Sequence, residues 1–257
     1  MTGLAGRRVI VTGASSGLGA HIVRHLAGLG ADVLAAARRA DRLAALVTEL
    51  EGAPGRVLAC PTDVTDDAAV RAMVDAAVGS FGGIDVLVNN AGSEVQAPIE
   101  SLADEAFEAM FAANVRSVFL CTRAALPELR RSRGAVVNLG STVVSRPPRG
   151  RFGYVATKGA VEAMSRALAL DLGRDGIRVN VLRPGIIPSE LRGLSEAEER
   201  SRFEAGAPLA KQALKAVGDG LDVARAVAWL ASDAGRWITG TVIDVDGGYA
   251  LGNVDPV

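Results

Sequence analysis

Short runs rich in Val, Ile and Ala alternate along the chain with longer segments whose apolar residues recur at helical spacing. The runs predicted as strands are Arg8–Val11, Asp32–Ala36, Arg56–Ala59, Asp85–Val88, Ala135–Leu139, Arg178–Leu182 and Thr241–Val245. The segments predicted as helices are Leu18–Leu29, Asp41–Leu50, Asp67–Phe81, Phe107–Arg131, Tyr154–Leu172 and Leu221–Ala231, with Asp66 as the expected N-cap of the third. This alternation predicts a doubly wound α/β fold, in which helices cover both faces of a mainly parallel sheet.

One segment, Pro188–Gly220, interrupts the alternation, because its two helical stretches follow no strand directly. An insertion at the carboxyl end of a strand would lie over the ligand crevice of such a sheet, so we expect a substrate lid here. No linker rich in Pro or Gly divides the chain. We therefore predict one domain over residues 1–257.

The charge balance of the chain argues against a nucleic-acid partner, since 28 Lys and Arg face 29 Asp and Glu, for a net charge of −1. Only two cysteines are present, which is too few for a disulfide framework and favours a reducing compartment. We see no signal-peptide pattern and no apolar run long enough to span a membrane. These observations predict a cytoplasmic protein with no membrane partner.

The sequence TGASSGLG, Thr12–Gly19, directly follows the first predicted strand and opens a helix. Its glycines allow a tight turn and close approach to a phosphate, and a helix N-terminus offers free N–H groups to an anion. The spacing of Gly13, Gly17 and Gly19 differs from the G-x-G-x-x-G fingerprint of dinucleotide-binding proteins. We interpret this segment as a phosphate-binding turn; the alternative is a flexible turn without function.

The second predicted strand ends near Ala37, where an acidic residue would bind the ribose 2′-hydroxyl of NAD. Arg38 and Arg39 follow instead of an acid. A guanidinium group suits the 2′-phosphate of NADP, so this pair predicts NADP(H) as cofactor. The alternative is that both arginines are solvated residues before a helix.

Further polar motifs follow later strands. They are NNAG at Asn89–Gly92, Asn114 in a helical segment, Ser141 after the fifth strand, and Tyr154-x-x-x-Lys158 at the start of a helix. Together with TGASSGLG, Asp63 of PTDVTD and the RPG at 183–185, they resemble the motifs of the short-chain dehydrogenase/reductase family, in the same order and over essentially the whole chain. The resemblance implies a Rossmann-fold oxidoreductase.

The resemblance also implies catalytic roles. Tyr154 would exchange a proton with the substrate oxygen, Ser141 would hydrogen-bond that oxygen, and Asn114 would anchor a water relay to the lysine. Lys158 lies at i+4 from Tyr154 on the same helix face, and its ammonium group would lower the tyrosine pKa from about 10 by favouring the phenolate. In the family this lysine also holds the nicotinamide ribose.

Cofactor contacts are carried over in the same way. Asp63 and Val64 match residues that meet the adenine, Asn90 and Gly92 match its pocket, and the PGIIPS segment matches residues that meet the nicotinamide. The full expected cofactor set is Gly13, Ser15, Ser16, Gly17, Leu18, Gly19, Arg38, Arg39, Asp63, Val64, Asn90, Ala91, Gly92, Tyr154, Lys158, Pro184, Gly185, Ile187 and Ser189.

Two other clusters permit functional interpretations. His21 and His25 have i,i+4 spacing, but with no acidic general base between them and both cysteines distant we predict no metal site. Arg146, Arg149 and Arg151 precede Tyr154 and could steer an anionic substrate, although a solvated loop is the favoured explanation.

The residue Glu94, just past NNAG, either reaches the pocket or faces water, and the sequence does not decide between these positions. The segment Ala207–Val227 lacks the short Arg- and Pro-containing turn that many family members have here, which leaves the lid geometry and the substrate open. Family members commonly form tetramers through two long helices and the C-terminal segment, so the resemblance implies a homotetramer.

These observations predict an NADP(H)-dependent oxidoreductase that interconverts a ketone and a secondary alcohol, with a 3-oxoacyl thioester or polyketide-like ketone as first candidate substrate. A small neutral ketone, a sugar or a steroid stays open. The alternatives from other classes are a non-catalytic NADP-binding regulator, and an isomerase or dehydratase that returns its cofactor unchanged.

Overall fold

The computed structural model describes residues 3–206 and 212–252, and its centre is one parallel sheet of seven strands. The strands are Arg8–Thr12 (β1), Asp32–Ala37 (β2), Val57–Pro61 (β3), Val86–Asn89 (β4), Ala135–Leu139 (β5), Arg178–Pro184 (β6) and Val242–Val245 (β7). Their order is β3-β2-β1-β4-β5-β6-β7, and each adjacent pair is parallel. The predicted doubly wound α/β fold is confirmed.

Helices connect the strands and cover the sheet. They are Gly17–Gly28 (α1), Ala40–Glu49 (α2), Asp67–Phe81 (α3), Asp104–Phe111 (α4), Ser117–Ser132 (α5), Phe152–Gly173 (α6), Glu196–Glu204 (α7) and Gly220–Ala231 (α8). Asp66 caps α3 as predicted, because its carboxylate accepts a hydrogen bond from the Ala68 N–H at 2.9 Å. The other predicted helices agree closely with the observed bounds, with one exception.

The prediction of a single helix over Phe107–Arg131 is wrong. The helical region begins earlier, at Asp104, where acidic residues of the first turn favour the helix N-terminus. Between α4 and α5 the chain forms a wider π-helical turn, Ala112–Arg116, that contains Asn114. Such a turn holds one more residue than an α-turn, so apolar spacing does not reveal it.

Two apolar layers hold the helices on the sheet. Along β1, Val9 and Val11 face one layer, which α1 and α8 cover, while Ile10 faces the opposite layer beneath α3, α5 and α6. Because side chains alternate along a strand and both faces are covered, the central strands are apolar at nearly every position. The two layers therefore hold the sheet between helices on both of its faces.

The sheet order reverses between β1 and β4, which opens a crevice at the carboxyl ends of these strands. After β6, the predicted insertion forms a short turn of 3₁₀ helix at Glu190–Arg192 and then α7. The second predicted helical stretch falls partly on residues 207–211, outside the described residues, and residues 212–219 are irregular. In the part of the chain that the structure describes, no helix could cross a membrane.

Candidate active site

A cavity of about 920 Å³ lies in this crevice, at the carboxyl ends of the central strands. It runs from the glycine-rich turn to the start of α6, and Ser141, Tyr154 and Lys158 line it. Every residue expected to bind the cofactor also lines it, except Gly19: Gly13, Ser15, Ser16, Gly17, Leu18, Arg38, Arg39, Asp63, Val64, Asn90, Ala91, Gly92, Tyr154, Lys158, Pro184, Gly185, Ile187 and Ser189. The structure thus brings almost the whole predicted set to one cavity.

The glycine-rich turn packs tightly against the NNAG segment. Gly13 has a φ of +66°, and a Cβ there would lie 2.8 Å from the Ala91 Cα. Gly19 does not line the cavity; a Cβ at this residue would overlap the Gly13 carbonyl oxygen. The glycines therefore permit close contact between two loops as well as approach to a ligand.

Thr12 and Asn90 join these two loops by hydrogen bonds. The Thr12 hydroxyl accepts from the Asn90 and Ala91 N–H groups at 3.0 and 3.1 Å, and the Asn90 amide donates to the Thr12 and Gly13 carbonyls at 2.9 and 3.1 Å. Sequence analysis named Asn90 as a pocket residue but missed this role of Thr12. Its position at the strand end, just before the first glycine, was the available signal.

Arg39 lies across the outer end of the turn. Its guanidinium group donates to the Ser15 hydroxyl at 3.0–3.1 Å and to the Ser16 hydroxyl at 2.6 Å. The neighbouring Arg38 lines the cavity near Asp63. The pKa of Asp63 is lowered mainly by hydrogen bonds from Thr65, with a smaller contribution from the Arg38 charge. Both arginines thus lie at the edge of the cavity.

Tyr154 and Lys158 lie one turn apart at the start of α6, and both are buried. The Lys158 ammonium group donates to the Leu139 carbonyl at 2.7 Å and lies 5.6 Å from the centre of the Tyr154 ring. Burial lowers the pKa of Lys158 to about 8, and the nearby Glu94 carboxylate opposes this effect. A positive charge can therefore be held beside the phenol group.

Asn114 is only 1% exposed and does not line the cavity. Its side-chain oxygen accepts from the Ser93 N–H at 2.7 Å, and its amide nitrogen donates to the Ser93 carbonyl at 2.9 Å and the Thr157 hydroxyl at 3.0 Å. Thr157 in turn donates to the Tyr154 carbonyl at 2.8 Å. Asn114 thus ties the loop after NNAG to the first turn of α6.

Ser141 follows β5 and faces the cavity. Its hydroxyl accepts a long hydrogen bond of 3.4 Å from the Val143 N–H, at the start of a turn of 3₁₀ helix. The hydroxyl proton is available to a substrate oxygen, because the hydroxyl acts only as an acceptor in this bond.

The three loop arginines do not form one cationic surface. Arg151 lies within 2.9 Å of the Glu94 carboxylate, and both line the cavity. Arg146 donates to the carbonyls of Tyr249 and Gly252 at 2.6 and 3.1 Å, while Arg149 is exposed and outside the cavity lining. The Glu94 side chain is only 3% exposed, so it faces the pocket, and its charge compensates that of Arg151.

Glu190, which sequence analysis did not single out, contributes an acidic group at the cavity edge. Its carboxylate accepts from Arg39 at 3.5 Å and also forms an ion pair with Arg42. No motif surrounds Glu190, and its partners are about 150 residues distant in sequence, so only the fold brings them together.

The two histidines of α1 make separate contacts. His21 lies 3.2 Å from the Glu196 carboxylate, and the pKa of His25 is lowered by burial. Among the described residues, no group of three His, Cys, Asp or Glu side chains is arranged to hold a metal ion.

Comparison with known proteins gives the same assignment as the motifs. The family model described as "Enoyl-(Acyl carrier protein) reductase" matches residues 13–250. The chain belongs to the short-chain dehydrogenase/reductase family. It is 37% identical over 253 residues to 3beta-hydroxysteroid dehydrogenase 1 of Eggerthella lenta, an alignment that covers 96% of this chain and 95% of that protein.

Two solved structures of the family are also similar over nearly the full length. A short-chain dehydrogenase from Burkholderia cenocepacia in complex with NADP has a TM-score of 0.87 at 35% identity, covering 96% of this chain and 99% of that chain. A 3-ketoacyl-(acyl-carrier-protein) reductase from Brucella melitensis complexed with NADH has a TM-score of 0.85 at 32% identity, with the same coverage. Family membership confirms the expected class of cofactor, a nicotinamide dinucleotide, and the expected oxidoreductase class.

The residues of the cavity fit such a cofactor. Gly13, Ser15, Ser16 and Gly17 of the glycine-rich turn line the cavity, and the N-terminus of α1 lies directly at this turn. Backbone N–H groups at this helix end can bind a diphosphate. The cavity continues from there to Tyr154, which gives room for an extended dinucleotide.

Proposed function

We propose that this protein is an NADP(H)-dependent oxidoreductase that interconverts a ketone and a secondary alcohol. The observation that carries the proposal is the pairing of Tyr154 with the buried Lys158, beside Ser141, in a cavity that begins at a phosphate-binding turn. A dinucleotide-binding protein without catalysis needs no such proton-exchanging pair.

The cofactor, when bound, supplies or accepts the hydride. Tyr154 donates a proton to the substrate oxygen during reduction and accepts it during oxidation. Ser141 donates a hydrogen bond to the same oxygen, where negative charge develops. The Lys158 ammonium group favours the phenolate form of Tyr154 by its charge. Asn114 acts as a positioning residue, because its hydrogen bonds hold Ser93 and Thr157.

The cofactor choice rests on Arg38 and Arg39, which follow β2 where an NAD-binding chain would carry an acid. Paired charge-assisted hydrogen bonds from a guanidinium group suit a phosphate. The similar Burkholderia protein was crystallised with NADP and the Brucella protein with NADH, so the two arginines carry this part of the proposal.

As the first candidate substrate we retain a 3-oxoacyl thioester or polyketide-like ketone. The similarity to a 3-ketoacyl reductase supports this choice. Of the loop arginines, Arg149 lies outside the cavity and Glu94 compensates the charge of Arg151. Arg146 lines the cavity, where it donates to the carbonyls of Tyr249 and Gly252. A steroid is the second candidate, because the Eggerthella relative is a steroid dehydrogenase. Small neutral ketones and sugars complete the set to be tested.

We further propose that segment 188–220 serves as the substrate lid and that the protein forms a homotetramer. Ser189, Glu190, Leu191 and Phe203 of this segment line the cavity, which supports a covering role for it. Exposed apolar side chains on α5 and α6 support assembly through these helices. The cytoplasmic location expected from the sequence stays a prediction.

The test of catalysis is the loss of NADPH absorbance with a panel of ketones, steroids and 3-oxoacyl thioesters, repeated with NADH. We expect turnover that favours NADPH. In Tyr154→Phe we expect kcat to fall by about 10²- to 10⁴-fold, the usual contribution of a general acid–base group. NADPH binding should persist in this variant, because the loss is confined to one hydroxyl. A wild-type protein that binds NADPH and turns over nothing on the panel would instead support the regulator.

A further inference from the structure

Glu190 lies at the edge of the cavity beside Arg39, one of the two arginines proposed to bind the 2′-phosphate. Its carboxylate is 3.5 Å from Arg39 and forms a closer ion pair with Arg42. The adjoining backbone packs on the glycine-rich turn: a Cβ built at Gly17 would lie 3.5 Å from the Ser189 Cβ and 3.7 Å from the Glu190 nitrogen. An acidic side chain is thus held beside the phosphate-binding end of the cavity.

Each of the three nitrogen atoms of the Arg39 guanidinium group has a hydrogen-bond partner. Its Nε atom donates to Ser15, its Nη2 atom to Ser15 and Ser16, and its Nη1 atom to Glu190. A phosphate that binds Arg39 in a bidentate manner must replace some of these bonds. Of the three partners, only Glu190 carries a negative charge, so it is the one that a phosphate dianion would repel.

We propose that Glu190 is a specificity-determining residue that competes with the 2′-phosphate of NADP(H) for Arg39. This inference rests on the proposed use of Arg39 as the 2′-phosphate site. NAD(H) carries a neutral hydroxyl at the same position and meets no such competition. Glu190 therefore lowers the affinity for NADP(H) and reduces the preference of the protein for NADP(H) over NAD(H). Its ion pair with Arg39 also holds residues 189–190 against the glycine-rich turn.

The experiment measures dissociation constants of NADPH and NADH, and of the fragments 2′,5′-ADP and 5′-AMP, by calorimetry at low salt. The variants are Glu190→Gln and a matched control, Glu196→Gln. Glu196 lies in the same segment, has similar exposure and pairs with His21 instead of the arginines. Glu190→Asp is a second variant that keeps the charge and withdraws it by one methylene group.

In Glu190→Gln we expect NADPH and 2′,5′-ADP to bind about two- to fivefold more tightly, the range for loss of a partly exposed ionic competitor. NADH and 5′-AMP should bind as they do to the wild type. Glu190→Asp should give a smaller change of the same sign, and the difference should shrink at high salt. Circular dichroism and Tm establish that each variant is folded.

Three results would overturn the competition. Equal tightening of NADPH and NADH would mean that Glu190 acts on the diphosphate or on the segment as a whole. Weaker NADPH binding would mean that Glu190 orients the arginines for the phosphate. An equal effect of Glu196→Gln on NADPH binding would mean that the change arises from the net charge of the protein and not from the position of Glu190.

Two further variants separate this inference from the proposed function. If Arg39→Gln weakens 2′,5′-ADP binding while Glu190→Gln has no effect, the competition fails and the NADP(H) preference stands. If neither variant changes 2′,5′-ADP binding, the competition fails, and Arg38→Gln then tests the cofactor preference: unchanged 2′,5′-ADP binding in that variant as well would overturn it. Turnover and its loss in Tyr154→Phe are measured independently of both.

Discussion

The charge state of Lys158 depends on two opposed effects at the residue scale. Burial disfavours the ammonium form and lowers the pKa to about 8, whereas the Glu94 carboxylate favours the ammonium form. Arg151 lies against Glu94 and partly offsets its charge, and the Tyr154 ring lies on the other side of the lysine. The lysine therefore titrates within the range in which an oxidoreductase of this kind is assayed.

This titration predicts a pH dependence of activity. Lys158 is charged below pH about 8 and loses its proton above it, so its support of the Tyr154 phenolate declines as the pH rises through that value. Glu94→Gln removes the charge that opposes desolvation, which lowers the lysine pKa further and moves the basic limb of the kcat/KM profile to lower pH. The profile is measured with Glu100→Gln, an exposed acid of the same loop, as control. A limb that does not move in Glu94→Gln would contradict this role of the carboxylate.

The lowered pKa of Lys158 also makes the free energy of unfolding depend on pH, and this contribution increases as the pH rises. The unfolded lysine has a pKa of about 10.4, so between about pH 8 and 10.4 the unfolded chain binds more protons than the folded one. The contribution of Lys158 to the free energy of unfolding therefore rises with pH between about pH 8 and 10.4. Below about pH 8, the full cost of burying its charge is present.

At the scale of single elements, the start of α1 depends on one close contact. The turn before this helix passes so near Gly19 that a Cβ there would overlap the Gly13 carbonyl oxygen. The far end of the same helix is open, because a Cβ at Gly28 would meet nothing within 4 Å. α1 thus carries one glycine, Gly19, at which a side chain would clash, and another, Gly28, at which a side chain would fit.

We expect Gly19→Ala to lower the free energy of unfolding by about 1–3 kcal/mol, the usual cost of an overpacked site, and to weaken NADPH binding. Gly28→Ala should leave binding unchanged and alter stability by less than about 1 kcal/mol, in the stabilising direction, because Ala restricts the unfolded chain. Urea unfolding followed by circular dichroism measures both. A Gly19→Ala protein with wild-type stability and binding would show that the turn can relax.

The π-helical turn at Ala112–Arg116 is a second element with a positional consequence. The wider turn carries Asn114, whose amide reaches both Ser93 and Thr157. Asn114 thereby holds the loop after β4 against the first turns of α6, where Tyr154 and Lys158 lie. The π-helical turn thus lies at the residue that we propose positions the catalytic helix, Asn114.

At the scale of the whole molecule, large apolar side chains remain exposed on the helices expected to form subunit contacts. Leu170 of α6 is 84% exposed, Phe119 of α5 is 47% exposed, and Trp237, before β7, is 90% exposed. Large exposed apolar side chains are typical of surfaces that a partner protein covers. A second copy of the chain is the partner that the proposed tetramer supplies.

We expect Leu170→Glu to shift the protein from a tetramer to smaller species in light scattering coupled to size-exclusion chromatography, because a charge would be buried at the contact. Ile99→Glu is the matched control, since Ile99 is also exposed but lies in the loop before α4. A wild-type protein that elutes as a monomer would contradict the proposed assembly.

The prediction of the strands succeeded because parallel strands buried on both faces carry near-continuous apolar runs that periodicity detects directly. The Ser141, Tyr154 and Lys158 set could be named because these residues stand in motifs that resemble those of the short-chain dehydrogenase/reductase family. Glu94 and Glu190 could not be assigned in this way. Their partners, Arg151 and Arg39, are distant in sequence. The local sequence around a loop carboxylate does not distinguish a side chain that faces water from one that faces a pocket.

The sequence alone indicated the order of strands and helices along the chain and a candidate phosphate-binding turn, because these depend on local spacing. It indicated the candidate catalytic residues through motifs that resemble those of the short-chain dehydrogenase/reductase family. The tertiary structure alone decided which charges meet. It joined Glu94 to Arg151, joined Glu190 to Arg39, and buried Lys158 so that its pKa falls to about 8. The physical reason is that burial and pairing are properties of position in space, and the fold brings together groups that the chain keeps far apart.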